Sequence, residues 1–128
     1  MYRVDITNSG DSLFRVKSKD YEFVVDTKGD GITPPDALLA SLGSCIGVYI
    51  RKYAEGAKLG LREFSLSVEA DFSQEKPVCF RLINVKVDLK GAKLDERRIN
   101  ALLEFIKNCP VHNTLKLNPQ IEVNMGSH

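Results

Sequence analysis

The sequence lacks the features that would place it in several large functional classes. It has no excess of charge: 18 Lys plus Arg stand against 17 Asp plus Glu, a net charge of +1. Nucleic-acid and membrane surfaces both reward a strong basic excess, so neither is expected as the main partner. No apolar run is long enough to span a bilayer; the longest, Ala37 to Ile50, is broken by Ser41, Gly43, Ser44 and Gly47 and stops at Arg51-Lys52. The opening MYRVDITNSG has no apolar segment of the kind a secretion signal carries, which makes the cytoplasm the default location. Cysteines number three, an odd count that makes no disulfide scaffold. There is no internal repeat. The length fits a single domain over residues 1–125, with Gly126-Ser127-His128 resembling the start of an expression tag. What is present, 43% hydrophobic and 27% charged residues, is the composition of a globular chain able to bury a core without metal or disulfides.

The opening third reads as strands. Tyr2, Val4 and Ile6 alternate with Arg3, Asp5 and Thr7, the period of a half-buried strand. Asn8 to Asp11 is turn chemistry, followed by strand-like Leu13 to Lys17 and Tyr21 to Val25. From Thr33 to about Glu55 the chain is apolar nearly all round, with Thr33 as N-cap, Pro34 at the first helical position and Asp36 completing a shortened capping box. A helix of this kind must be enclosed. Its small residues form two rows, Ala40 with Ser44 and Gly43 with Gly47, that admit a close backbone neighbour. Phe64 to Phe72 alternate as a strand, and the return strand changes phase near Leu82-Ile83, which predicts a bulge. A second helix follows an Asp95 cap, with Ile99, Leu102, Leu103 and Ile106 as its apolar stripe. Pro110 forces a break, a short third helix runs over Val111 to Leu117, and Ile121 to Val123 read as a last strand. The expectation is an α+β fold of order βββ-α-ββ-α-α-β, with a long central helix covered by antiparallel sheet. One sheet covers only one side of such a helix, so a homodimer enclosing a pair of central helices is expected.

The three cysteines sit in different surroundings. Cys45 lies deep in the apolar helix, where a thiol is inert unless a cation and a path to solvent reach it. Cys109 precedes Pro110 at the N-cap of the short helix, where unpaired N–H groups favour a thiolate and are expected to lower its pKa. Cys79, in a strand without adjacent charge, reads as structural. His112 stands at ligand-like spacing from Cys109, but a closed zinc site needs four ligands and the chain offers few others. His112 is therefore expected to point into solvent or to cap the short helix.

Two segments resemble a known family. Gly31-Ile32-Thr33-Pro34-Pro35-Asp36-Ala37-Leu38-Leu39-Ala40-Ser41-Leu42-Gly43-Ser44-Cys45 resembles the central-helix motif of the OsmC/Ohr family, and Cys109-Pro110-Val111-His112-Asn113-Thr114-Leu115 resembles its second cysteine motif. The element order is similar over essentially the whole chain, closest to the broad OsmC-like branch. The resemblance implies an intertwined homodimer and a thiol-dependent peroxidase acting on organic hydroperoxides in oxidative-stress defence. It implies Cys45 as the peroxidatic cysteine and Cys109 as the resolving one, with a Cys45 sulfenic acid closing to a Cys45–Cys109 disulfide. It calls for an external thiol or dithiol reductant and for no metal or organic cofactor. So apolar a helix favours alkyl or lipid hydroperoxides over hydrogen peroxide.

The chain departs from the family pattern at one catalytic position. The family's orienting glutamate, ten residues before the cysteine, is replaced by Pro35, with Asp36 the nearest acid. On a regular helix Asp36 lies about 13 Å before Cys45 and on the opposite face, and its competing role is the cap with Thr33. The activating arginine comes from the N-terminal strands in the family; Arg15 is the best-placed candidate and Arg3 the alternative. Arg51 is expected to mark the wet end of the central helix. Two other functions stand beside the peroxidase: an OsmC-like thiol-redox or sulfur-handling protein with weak peroxidase activity, and a non-enzymatic dimer binding an apolar ligand.

Overall fold

A computed structural model describes residues 1–126; Ser127 and His128, in the tag-like ending, lie outside the described residues. The chain forms two compact units, Met1–Ala40 and the residues from Ser41 onward, and one long helix begins in the first and ends in the second.

The first unit is an antiparallel meander of β1 (Asp5–Asn8), β2 (Leu13–Ser18) and β3 (Tyr21–Asp26). The β1–β2 turn is set by side chains: Asn8 Oδ1 accepts the Gly10 N–H at 3.2 Å, and Asp11 Oδ1 accepts that of Leu13 at 3.0 Å. Such local bonds are why Asn and Asp favour turns. The register pairs Ile6 with Val16 and Val16 with Phe23, so these side chains share one face. β1 starts only at Asp5 and all four of its residues are exposed, in contrast to the half-buried strand that the alternation from Tyr2 predicts. Asp26 is the buried acid of this unit. The Lys28 N–H, ahead of the Ser12 hydroxyl and the Asp30 N–H, holds its carboxyl below the ordinary value.

Helix α1 (Pro34–Gly56) starts as its sequence dictates. The Thr33 carbonyl accepts the Ala37 N–H at 2.9 Å, its hydroxyl accepts the Asp36 N–H at 3.3 Å, and Pro34 takes the first helical position. Leu42, Ile46, Ile50 and Ala54, four apart, form the buried stripe. Burial is not all-round in the single chain: Val48 is 50% exposed and Leu38 is exposed as well. The layers of one chain cover one side of the helix, and the Ala40 and Ser44 row also remains exposed.

In the second unit β4 (Ser65–Phe72) and β5 (Phe80–Asp88) form an antiparallel pair. Ala70 faces Ile83 but Phe72 faces Phe80, so the extra residue of the bulge falls at Arg81-Leu82, beside the predicted phase change. β4 packs on the small-residue row of α1: Val68 lies against Gly43, and Leu66 and Phe64 against Gly47. Helix α2 (Glu96–Ile106) is capped by Asp95, which accepts the Arg98 N–H at 2.8 Å. Its expected stripe is only partly realised, since Leu102 is buried but Ile99 and Leu103 are exposed. Phe105, which the stripe omits, packs against Tyr49 and Tyr53 with ring centroids 5.9 and 5.6 Å apart. Helix α3 (Pro110–Leu117) is capped by Cys109 and ends at Asn118, whose φ of 51° is left-handed. The expected last strand does not form: Ile121 and Val123 are 80% and 82% exposed, and no strand of the described residues pairs with them. Three residues with alternating character have no ladder to join once Asn118 and Pro119 redirect the chain. No helix of the described residues is long and apolar enough to cross a membrane.

The two glycines of the α1 row respond differently to an added methyl. At Gly47 it would sit 3.5 Å from Leu66 Cδ1, an ordinary contact; at Gly43 it would meet Val68 Cγ2 at 2.8 Å. Valine is stiff at χ1 and cannot swing aside cheaply. Gly47→Ala is expected to stabilise by about 1 kcal/mol through helix propensity. Gly43→Ala is expected to set about 1–3 kcal/mol of overpacking against the same gain. Urea denaturation of the two variants checks this, and equal stabilisation would contradict the close approach of β4.

Candidate active site

The Pro110 break fixes one half of the site. Helix α2 ends, Cys109 N–H bonds back to the Ile106 carbonyl at 2.9 Å, and α3 starts with the Asn113 N–H on the Cys109 carbonyl at 3.0 Å. Cys109 is therefore the N-cap, as its sequence predicts, and its Sγ accepts the His112 N–H at 3.4 Å. Its side chain is completely buried in the cluster built on Leu42, Ile46 and Leu102.

The other half comes from α1. Cys45 falls between Leu42 and Ile46 of the buried stripe, is half-buried, and packs against the same cluster. The Cys109 and Cys45 side chains are neighbours, packed in one apolar cluster. Both are free thiols. Burial, and after it the neighbouring Cys45 thiol, push the Cys109 thiol above its ordinary value; the His112 and Val111 N–H groups pull the other way and are outweighed. This reverses the shift expected from the helix cap alone. A thiol inside an apolar core loses more solvation of its charged form than two N–H groups return.

The remaining sequence candidates occupy varied positions. Asp36 is tied into the α1 start, its carboxylate accepting the Thr33 hydroxyl at 2.8 Å. Arg15 lies in mid-β2, exposed, opposite Thr7 and Val24 in the sheet register. Arg3 is held by Asp5 in an exposed ion pair at 3.1 Å. Arg51 is not a wet helix end. It is half-buried, donates to the carbonyls of Leu61 (2.6 Å) and Arg62, and lies 5.0 Å above the Phe64 ring, clamping the α1–β4 connection. Cys79 bonds through its backbone to Ser73, its N–H reaching Ser73 Oγ at 3.2 Å.

Of the two places expected for His112, in solvent or capping the short helix, its side chain does not take the first. It is half-buried, and its Nδ1 is buried without a hydrogen-bond partner. It meets Cys109 through its backbone N–H, not its ring, and among the described residues no group of three or more His, Cys, Asp or Glu is placed to hold a metal. His112 belongs to the wall of a cavity of about 440 Å³, with Leu42 and Ile46 of α1, Arg81 and Lys116. Arg81 and Lys116 carry no signal in a linear reading. Arg81 reaches the cavity from the bulge of β5, and Lys116 from one turn beyond His112 on α3.

The chain matches the family described as "OsmC-like protein" over residues 27–124, a span that includes both cysteine motifs. A search of curated proteins finds no match. Among solved structures it is similar to an OsmC-like protein of Mycoplasma pneumoniae, at 22% identity and a TM-score of 0.78, covering 91% of this chain and 87% of that one. It is also similar to an organic hydroperoxide resistance protein of Legionella pneumophila, at 19% identity and a TM-score of 0.65, with 92% of each chain covered. A third, an organic hydroperoxide resistance protein of Elizabethkingia anophelis, matches at 20% identity and a TM-score of 0.63 over 92% of this chain and 91% of that one. At these identities the structures establish the shared α+β fold. The family match, which takes in most of the chain and both thiols brought together by that fold, establishes that the chain belongs to the OsmC-like family.

Proposed function

We propose that the protein is a thiol-dependent peroxidase that reduces organic hydroperoxides in oxidative-stress defence, in the cytoplasm. The observation that carries this reading is the meeting of Cys109 and Cys45, two thiols far apart in sequence that pack into one cluster, whose Leu42 and Ile46 also line a largely apolar cavity. The organic hydroperoxide resistance proteins among its structural relatives point to the same substrate class.

The chemistry runs in three steps. A free thiol near its ordinary pKa is only about 3% thiolate at pH 7, so the attacking sulfur needs help. Cys45 is the attacking sulfur in this reading, because it is half-buried whereas Cys109 is enclosed and its thiol is pushed above the ordinary value. The Cys45 thiolate takes the distal oxygen of R–O–O–H: an S–O bond forms, the O–O bond breaks, and the alkoxide leaves and is protonated to R–OH. The Cys109 sulfur then attacks the sulfenic acid, forming the Cys45–Cys109 disulfide while hydroxide departs with the thiol proton as water. An external dithiol returns both cysteines to thiols by exchange and is itself oxidised to a disulfide. None of these steps uses a metal or an organic cofactor. The family resemblance assigns the activating cation to the N-terminal strands, with Arg15 as the candidate and Arg3, in an exposed pair with Asp5, as the alternative.

A homodimer belongs to this reading. Leu38 and Val48 of α1 and Ile6, Phe14 and Phe23 of the first sheet are exposed in one chain, and a second copy would cover such apolar surface. Sedimentation at micromolar concentration is expected to give twice the chain mass; a monomer would contradict it.

One observation favours a second reading. Asp36 is committed to the Thr33 cap and Pro35 occupies the family's glutamate position, which suits a thiol-redox or sulfur-handling protein with weak peroxide chemistry. Steady-state reduction of cumene hydroperoxide and hydrogen peroxide with a dithiol reductant separates the two. The peroxidase reading expects Cys45→Ser to abolish turnover and the organic peroxide to be preferred by at least about tenfold, as an apolar pocket requires. Turnover that survives Cys45→Ser, or equal rates for the two peroxides, would count against it.

The raised Cys109 pKa gives a pH expectation. Its proton must be lost as the disulfide closes, and the folded protein holds that proton to higher pH than an ordinary thiol does. Closure, followed by quenching and mass analysis, is expected to keep accelerating past about pH 8.5, the ordinary thiol value. A plateau below that pH would contradict the burial-driven shift.

A further inference from the structure

The two sulfurs differ in their surroundings, and the difference decides how an external thiol can meet them. Cys109 has no exposed surface. Its backbone is pinned on both sides, by its N–H on the Ile106 carbonyl at 2.9 Å and by the Asn113 N–H on its own carbonyl at 3.0 Å, and Pro110 restricts it further. Its side chain belongs to the cluster that also holds Leu102, Ile106, Val111 and Leu115.

Cys45 lies at the edge of the buried stripe of α1 and is half-buried. Leu42 and Ile46 beside it are buried, whereas Ser41 and Val48 are exposed. Ser41 stands four residues before Cys45 and Val48 three after, the offsets that make neighbours on a helix surface. Cys45 therefore has one flank on the core, where Cys109 is, and one flank turned outward. In thiol–disulfide exchange the attacking thiolate approaches a sulfur from the side opposite the sulfur that leaves. For Cys45 joined to Cys109 that side is the outward flank; Cys109 offers no open side.

We propose that Cys45 is the sulfur at which external thiols enter and leave this site: the reductant forms its mixed disulfide on Cys45, and Cys109 is the leaving sulfur. The proposal rests on the peroxidase reading for the protein disulfide itself. The reductant thiolate R–S⁻ bonds to Cys45 Sγ, the Cys45–Cys109 bond breaks, and its electron pair goes to Cys109, which takes up a proton. The second thiol of the dithiol then attacks the reductant's own bound sulfur, closing the reductant disulfide and releasing Cys45 as thiolate. Two electrons pass from dithiol to protein. The His112 N–H, 3.4 Å from Cys109 Sγ, and the Val111 N–H meet the departing charge at the start of α3. Burial opposes that charge, so access and not leaving-group quality selects the sulfur. The peroxide needs the same outward flank, so a second copy seated on α1 has to leave it open.

Dithiobis(nitrobenzoate), an aromatic disulfide, runs both exchanges backwards on the reduced protein and needs no peroxide. In a Cys79→Ala background, Cys109→Ser, which keeps an N-cap residue on α3, is expected to retain one nitrothiobenzoate, mapped to Cys45. Cys45→Ser is expected to react at Cys109 at least about a hundredfold more slowly, the scale set by local opening of an enclosed site. Acid-quenched peptide mapping of the unaltered protein reads the same order without any variant: an adduct on Cys45 is expected first, giving way to the Cys45–Cys109 disulfide. A first adduct on Cys109, comparable rates in the two serine variants, no reaction at either cysteine, or a Cys45 adduct that Cys109 never displaces would each overturn the proposal. Cumene hydroperoxide reduction by the unaltered protein reports the peroxidase separately. The expected exchange without peroxide turnover keeps the entry point and sinks the peroxidase; turnover with a first adduct on Cys109 does the reverse.

Discussion

Burial of a single stripe of α1 is the constraint on which the second unit depends. Leu42, Ile46, Ile50 and Ala54 lie one above another at four-residue spacing, and burying each large aliphatic side chain is worth about 1.5–3 kcal/mol. To cover that stripe, β4 must come close on one flank, which it does over Gly43 and Gly47. On the other flank α2 and α3 deliver Leu102, Ile106, Cys109 and Leu115 into the same cluster. Cys45 lies within the stripe, one residue before Ile46. The meeting of the two thiols is thus a consequence of core packing: the helix that needs covering carries one sulfur, and the turn that covers it carries the other.

That origin explains the electrostatics. A thiol at a helix N-cap in water would be biased toward thiolate, because unpaired N–H groups point at it. Cys109 is at such a cap, yet it is fully buried, and desolvation of the charged form wins. The two sulfurs are consequently inequivalent. One is half-buried, and the other is enclosed with its thiol pushed above the ordinary value. Such asymmetry suits a division of labour in which an accessible sulfur meets the oxidant and a sequestered one reacts only with its neighbour.

Much of this was legible in the residues. Thr33-Pro34 at a helix start, Asp95 at another, the Cys109-Pro110 junction, the phase change near Leu82 and the small row Gly43 and Gly47 each encode a local geometry that the fold realises. What escaped was set by tertiary surroundings. Ile121 to Val123 have strand-like alternation but no neighbour to pair with. Arg51 looks like a helix-end charge until the returning chain offers it the Leu61 and Arg62 carbonyls. His112 reads as a surface residue because nothing in its own helix reveals the cavity that Ile83 and Arg81 help to form. The pKa shift of Cys109 has the same cause: the cap is local and visible, the burial is not.

The central claim, that Cys45 and Cys109 act as one redox unit, is tested most directly by peptide mapping of the reduced protein after one equivalent of an organic hydroperoxide, with free thiols blocked before digestion. The account predicts a new Cys45–Cys109 disulfide, with Cys79 still alkylatable, and a sulfenic acid trapped on Cys45 when Cys109 is replaced by serine. Both cysteines recovered as free thiols, or oxidation appearing first at Cys109 or Cys79, would contradict it.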